Sequence, residues 1–75
     1  MRKITDEKIE MWLVGFGANL RRLRKAKRFS QVVLARECGV SAGYISAIER
    51  GKADPSIIIL TRLASGLVLP LSKLF

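Results

Sequence analysis

Residues 29–51 read FSQVVLARECGVSAGYISAIERG, and their punctuation leaves room only for two short helices and a tight turn. Ser30 and Ser41 stand where a hydroxyl can accept a bond from a free helix-start N–H. Gly39 and Gly51 stand where the chain can leave a helix through positive φ. The predicted helices run over Gln31 to Glu37 and Ala42 to Arg50. Leu34 and Ala35 mark the inward face of the first. Val40, Ile45 and Ile48 mark that of the second. Ala35 is small where the two helices must cross closely.

The remainder follows the same grammar. Ile9, Trp12, Leu13 and Phe16 recur at helical spacing over residues 5–16, with Thr5 or Asp6 as cap. Phe16, Leu20 and Leu23 form the inward stripe of a segment over residues 16–27. Gly15 and Gly17 weaken the join, so the first segment reads as a separate helix or as an extension of the next. Asp54-Pro55 is a helix-start pair, opening a segment to about Leu67, and Pro70 starts a last turn. No stretch alternates with period two for long. The expectation is an all-α fold, a compact bundle of about five short helices containing a helix-turn-helix. Residues 1–15 are expected as an N-terminal helical extension, and residues 16–75 as the main domain.

Composition narrows the partners. Fourteen Lys and Arg face six Asp and Glu, a formal net charge of +8. Arg21, Arg22, Arg24, Lys25, Lys27 and Arg28 crowd one segment; a run of this kind serves a polyanion or is a solvated face. Met1-Arg2-Lys3 is basic, but Asp6 and Glu7 follow at once, so no signal-peptide core is expected. The longest apolar runs are of the Ile57–Leu60 kind, too short to span a bilayer, and a cytoplasmic protein is expected. Cys38 is the single cysteine and histidine is absent, which excludes an internal disulfide and argues against a zinc site. Cys38 therefore reads as a small, half-buried hydrophobe. No cofactor and no metal are expected. The scattered carboxylates, with no histidine and no phosphate loop, leave catalysis nothing to work with, so no enzyme is expected. A chain this small buries only about 60% of its unfolded surface, and self-association is the remaining route to extra stability.

The chain resembles the phage repressor and Cro (XRE) helix-turn-helix family. The resemblance rests on Leu20-Arg21-Arg22-Leu23-Arg24, Ser30-Gln31, Leu34-Ala35, Gly39-Val40-Ser41, Tyr44-Ile45-Ser46, Ile48-Glu49-Arg50-Gly51-Lys52, Asp54-Pro55-Ser56 and Leu63-Ala64, in order and at family spacing. Its length is similar to that of restriction–modification controller proteins. The resemblance implies a five-helix DNA-binding domain whose second motif helix enters the major groove of double-stranded DNA. Gln31 then meets a phosphate, and Ser41, Ala42, Gly43, Ser46 and Ala47 fall where base edges are read. These are small residues, and none forms a bidentate bond to guanine or adenine. Ala42 and Ala47 touch thymine methyls or are plain helix formers. Tyr44 more readily bonds a phosphate than a base. Arg50 and Lys52 are implied to make backbone contacts or to form a groove-reaching arm, and Arg28 is a further DNA-binding candidate, so discrimination leans on DNA shape. Arg24 and Glu49 are implied to form a structural ion pair. Val32 and Val33 replace acidic residues, so no capping box forms at Ser30. Arg28 replaces a glycine, implying positive φ on a non-glycine residue. Val68 and Pro70 also replace a glycine and a cap residue.

In the helix after Pro55, Ile57, Leu60, Leu63 and Ala64 are expected to face the core. Ile58, Ile59, Leu67, Leu71 and Phe75 are then candidates for a homodimer interface on a palindromic operator, unless Ile58 and Ile59 complete the core against Trp12. An alternative is an antitoxin that binds a toxin protein as well as its promoter, using the apolar pairs Trp12-Leu13, Val32-Val33 and Ile58-Ile59. A membrane-surface binder fits the charge but not the turn glycines and caps.

Overall fold

Thr5 sets the first boundary. Its hydroxyl accepts from the backbone N–H of Lys8 at 3.2 Å, and α1 runs from Asp6–Ala26. The computed structural model describes residues 4–75; the basic Met1-Arg2-Lys3 lies outside the described residues. α2 (Gln31–Cys38), α3 (Ala42–Glu49) and α4 (Ile57–Leu67) follow, then a 3₁₀ turn over Leu71–Leu74, with no strand among the described residues. Four α-helices therefore stand where about five were expected, because the two N-terminal segments are one 21-residue helix. The helix also crosses the expected boundary between residues 15 and 16 without a break.

Gly17 explains the continuity. A Cβ at this position would stand 2.2 Å from the Ile48 carbonyl oxygen and 2.7 Å from that of Glu49. The glycine lets α1 lie directly on the end of α3, and this packing outweighs its helix penalty of about 1 kcal/mol. α3 packs between α1 and α2, α2 packs on α4, and the 3₁₀ turn closes against α4 and α1. Asn19 holds that turn by donating from Nδ2 to the carbonyls of Leu74 at 2.9 Å and Lys73 at 3.3 Å.

Serine caps begin the later helices. Ser30, Ser41 and Ser56 accept from the N–H groups of Val33, Tyr44 and Ile59. α4 thus starts after Ser56, and Pro55 lies before it rather than inside. That start sets which face is buried. Leu63, Ala64 and Leu67 enter the core, Ile59 and Leu60 are half-buried, and Ile57 and Ile58 stand 63% exposed. Ile57 was expected inside, but the first turn of α4 overhangs the core edge. Leu67 was expected at a dimer surface, but it completes the Leu60–Leu63–Ala64–Leu67 stripe and is fully buried.

The core also contains Leu20, Leu34, Ala35, Cys38, Ile45, Ile48 and Leu74. Burial pushes the Cys38 thiol above its ordinary pKa, and neighbouring Glu37 adds to the rise. Its sulfur lies where a Cβ on Gly66 would come within 2.6 Å, so this glycine lets α4 approach α2.

Candidate nucleic-acid interface

Gly39 sets the angle between the two motif helices. At φ 71° it lets Val40 N–H return to Ala35 O at 3.0 Å and its own N–H reach Arg36 O at 3.3 Å. This Schellman closure turns the chain within three residues, after which Ser41 caps α3. Ile45 and Ile48 anchor α3 inward. The opposite side presents Ser41 and Gly43 exposed, with Ala42, Ser46 and Ala47 half-exposed. Gly43 has open space where a Cβ would lie. The outward surface of α3 is therefore shallow, as its small residues imply. Tyr44 is half-buried and packs on the core, which shortens the reach expected of its long side chain.

A buried polar node fixes α3 to α1. Arg24 Nε meets Glu49 Oε2 at 2.6 Å and Nη2 meets Oε1 at 3.0 Å, with both side chains under 10% exposed. Arg24 Nη1 donates to Phe29 O at 2.8 Å. The guanidinium pKa is raised chiefly by the hydrogen bond to Glu49, against the opposing effect of burial. Both charges are thus paired, and the cost of burying them is offset by three directional bonds. Gln31 joins the node, donating from Nε2 to Glu49 Oε1 at 3.1 Å.

Arg21, Gln31, Ser46 and Arg50 gather around this node in one cleft at the meeting of α1, α2 and α3. The cleft can accept an anion, since its open rim offers two guanidinium groups, an amide and a hydroxyl. Of the expected contact residues, Gln31, Ser46 and Arg50 share this cleft. Ser41 caps α3, Ala42, Gly43 and Tyr44 occupy its first turn, Arg28 follows α1, and Lys52 follows α3. Arg28, Arg50 and Lys52 are exposed. Arg21 was read only as one of a basic run; its place three residues before Arg24, on the same face of α1, was the signal that it borders the node.

Among the described residues no helix is long and apolar enough to cross a membrane. A helix-turn-helix family model matches residues 20–74. The control protein C.MunI of a Mycoplasma species is 38% identical over 63 residues, covering 83% of this chain and 85% of that protein. An HTH-type transcriptional regulator of Sinorhizobium fredii, y4dJ, is 39% identical over 68% of this chain and 66% of its own length. Among solved structures, the restriction–modification controller protein C.AhdI from Aeromonas hydrophila is similar with a TM-score of 0.83 and 40% identity, covering 84% of this chain and 96% of that one. The chain is a member of the helix-turn-helix, XRE-type family of DNA-binding transcription regulators.

Proposed function

We propose that this chain is a sequence-specific regulator of the restriction–modification controller type, acting in the cytoplasm as a homodimer on a palindromic operator. The observation that carries the reading is the cleft of Arg21, Gln31, Ser46 and Arg50, fixed beside the outward face of α3 by the Arg24–Glu49 pair. The cleft grips one backbone phosphate and so sets the depth of α3 in the major groove. Ser41, Ala42, Gly43, Ser46 and Ala47 then approach the base edges, with Tyr44, Arg28 and Lys52 on the backbone. A single shallow helix distinguishes few sequences. Two such helices on a two-fold axis, about 34 Å apart, read two half-sites. Ile58, Ile59, Leu71 and Phe75 supply the self-contact; Leu67, being buried, does not. The likeness to two controller proteins over most of their own length supports that class over the antitoxin alternative.

Selection from random duplexes tests this directly. The expected product is an inverted repeat, bound far more tightly than one half-site. Failure to retain any duplex at low salt would end the proposal.

A further inference from the structure

Two glycines have no cause inside this fold. Gly17 and Gly66 admit a packed neighbour, and Gly39 and Gly51 hold positive φ. A Cβ at Gly15 or Gly43 would meet nothing within 4 Å, and neither residue has positive φ. Gly15 lies in α1, outside the helix-turn-helix. Gly43 is exposed in the first turn of α3, on the face proposed to meet DNA. Glycine is a poor helix former, so alanine at position 43 would suit the isolated chain better. Local rules of this kind are broken chiefly at functional sites.

The surroundings of Gly43 define what its missing Cβ leaves open. Ile45 and Ile48 hold the opposite side of α3 in the core. Ser46 and Ala47 follow three and four residues on, so they border Gly43 on the outward side. Ser46 also lines the cleft assigned to a phosphate, and the space over Gly43 therefore lies next to that cleft. This space is a shallow depression with a bare Cα as its floor and the Ala47 methyl at its edge. It offers no side-chain hydrogen bond. Among the groups that base pairs present in the major groove, one is apolar: the 5-methyl of thymine, which stands out from the base edge.

We infer that the bare Cα of Gly43 receives the 5-methyl group of one thymine in each half-site, with Ala47 against its side. The inference rests on the reading of α3 as the helix that enters the major groove, and adds the base that this glycine selects. Carbon atoms in contact stand about 3.5–4.0 Å apart, so a Cβ on residue 43 would claim the space of the methyl. Cytosine in place of the thymine leaves the depression empty. Gly43 is thus a specificity-determining residue that acts by fit and carries no polar side-chain atom.

A methyl added to the protein and another removed from the DNA test this. The duplex selected from random sequence is made synthetically, free of 5-methylcytosine, so a methyl at this place is thymine's own. Each thymine of the half-site is replaced in turn by deoxyuridine, in both halves; deoxyuridine pairs alike and lacks only the methyl. Gly43→Ala is expected to melt no lower than the wild type. It is expected to bind the thymine duplex at least about tenfold more weakly. At one thymine, deoxyuridine is expected to cost the wild type about fourfold in each half-site. The same duplex is expected to bring Gly43→Ala to within about threefold of the wild type, a coupling that independent changes do not show. Gly43→Ala binding the thymine duplex as tightly as the wild type overturns the contact. So does a loss that no deoxyuridine relieves, or a selected half-site without thymine. In each of these cases the wild type still holds its duplex, and the regulator reading stands. A wild type that retains no duplex removes both.

Discussion

Glu49 is half of an ion pair and also an acceptor for a residue in the proposed DNA contact. Its Oε1 receives Arg24 at 3.0 Å and Gln31 at 3.1 Å, so one atom joins α1, α2 and α3. Removing one charge leaves the other buried and unpaired, and Arg24→Ala or Glu49→Ala is expected to cost about 3–5 kcal/mol. The double variant leaves neither charge stranded, so it is expected to cost clearly less than the two single losses added. Urea unfolding of the three variants measures this, and strict additivity would contradict the pairing. The Arg24–Glu49 pair was legible in the sequence through the family resemblance. The attachment of Gln31 to it was not, because the meeting of residues 31 and 49 depends on how far Gly39 turns the chain. Arg21 was missed as a site residue for a related reason, since six basic residues in eight positions hide which of them faces the node.

At the scale of the helix, all four α-helices end in the same way. Phe29, Val40, Lys52 and Leu69 each donate N–H to the carbonyl five residues back, at 2.8–3.2 Å. Each closure requires a left-handed residue, filled by Gly39 and Gly51 at φ 71° and by Arg28 at φ 60° and Val68 at φ 56°. A side chain in that region costs about 1–2 kcal/mol, and a β-branched one is the worst suited. Glycine loses more chain entropy on folding, about 0.5–1 kcal/mol. Val68 is 79% exposed, so truncation sacrifices little burial. Val68→Gly is therefore expected to stabilise the fold by about 0.5–1 kcal/mol, a rise of a few degrees in Tm. Thermal unfolding checks this; a lower Tm would show that the valine side chain holds the 3₁₀ turn. Helix ends were the readable part of this chain, because caps and left-handed exits are local chemistry. Gly17 was misread as a weakness and Ile57 as core, because both assignments depend on which helix crosses above, which local pattern does not encode.

Across the whole molecule, charge is segregated along α1. Its first turns carry Asp6, Glu7 and Glu10, while six basic residues occupy positions 21–28, all but Arg24 exposed. The apolar and acidic end suits contact with protein, and the basic end, beside the cleft on α3, suits a polyanion. Because α3 offers few base-specific groups, most of the affinity must come from phosphates. Each phosphate neutralised releases counterions, so the salt dependence counts them. A dimer neutralising roughly 6–10 phosphates is expected to lose about 10³–10⁵ in affinity between 50 and 200 mM salt. Replacing Arg21 or Arg50 with Ala is expected to lower that slope by about two, one phosphate in each half-site, while leaving the preferred sequence unchanged. Ser46→Ala, a change without charge, is expected to leave the slope alone. Fluorescence anisotropy titrations at several salt concentrations separate these cases. A slope unmoved by Arg21→Ala and Arg50→Ala would mean that the cleft holds no phosphate and that α3 is seated on DNA by other residues.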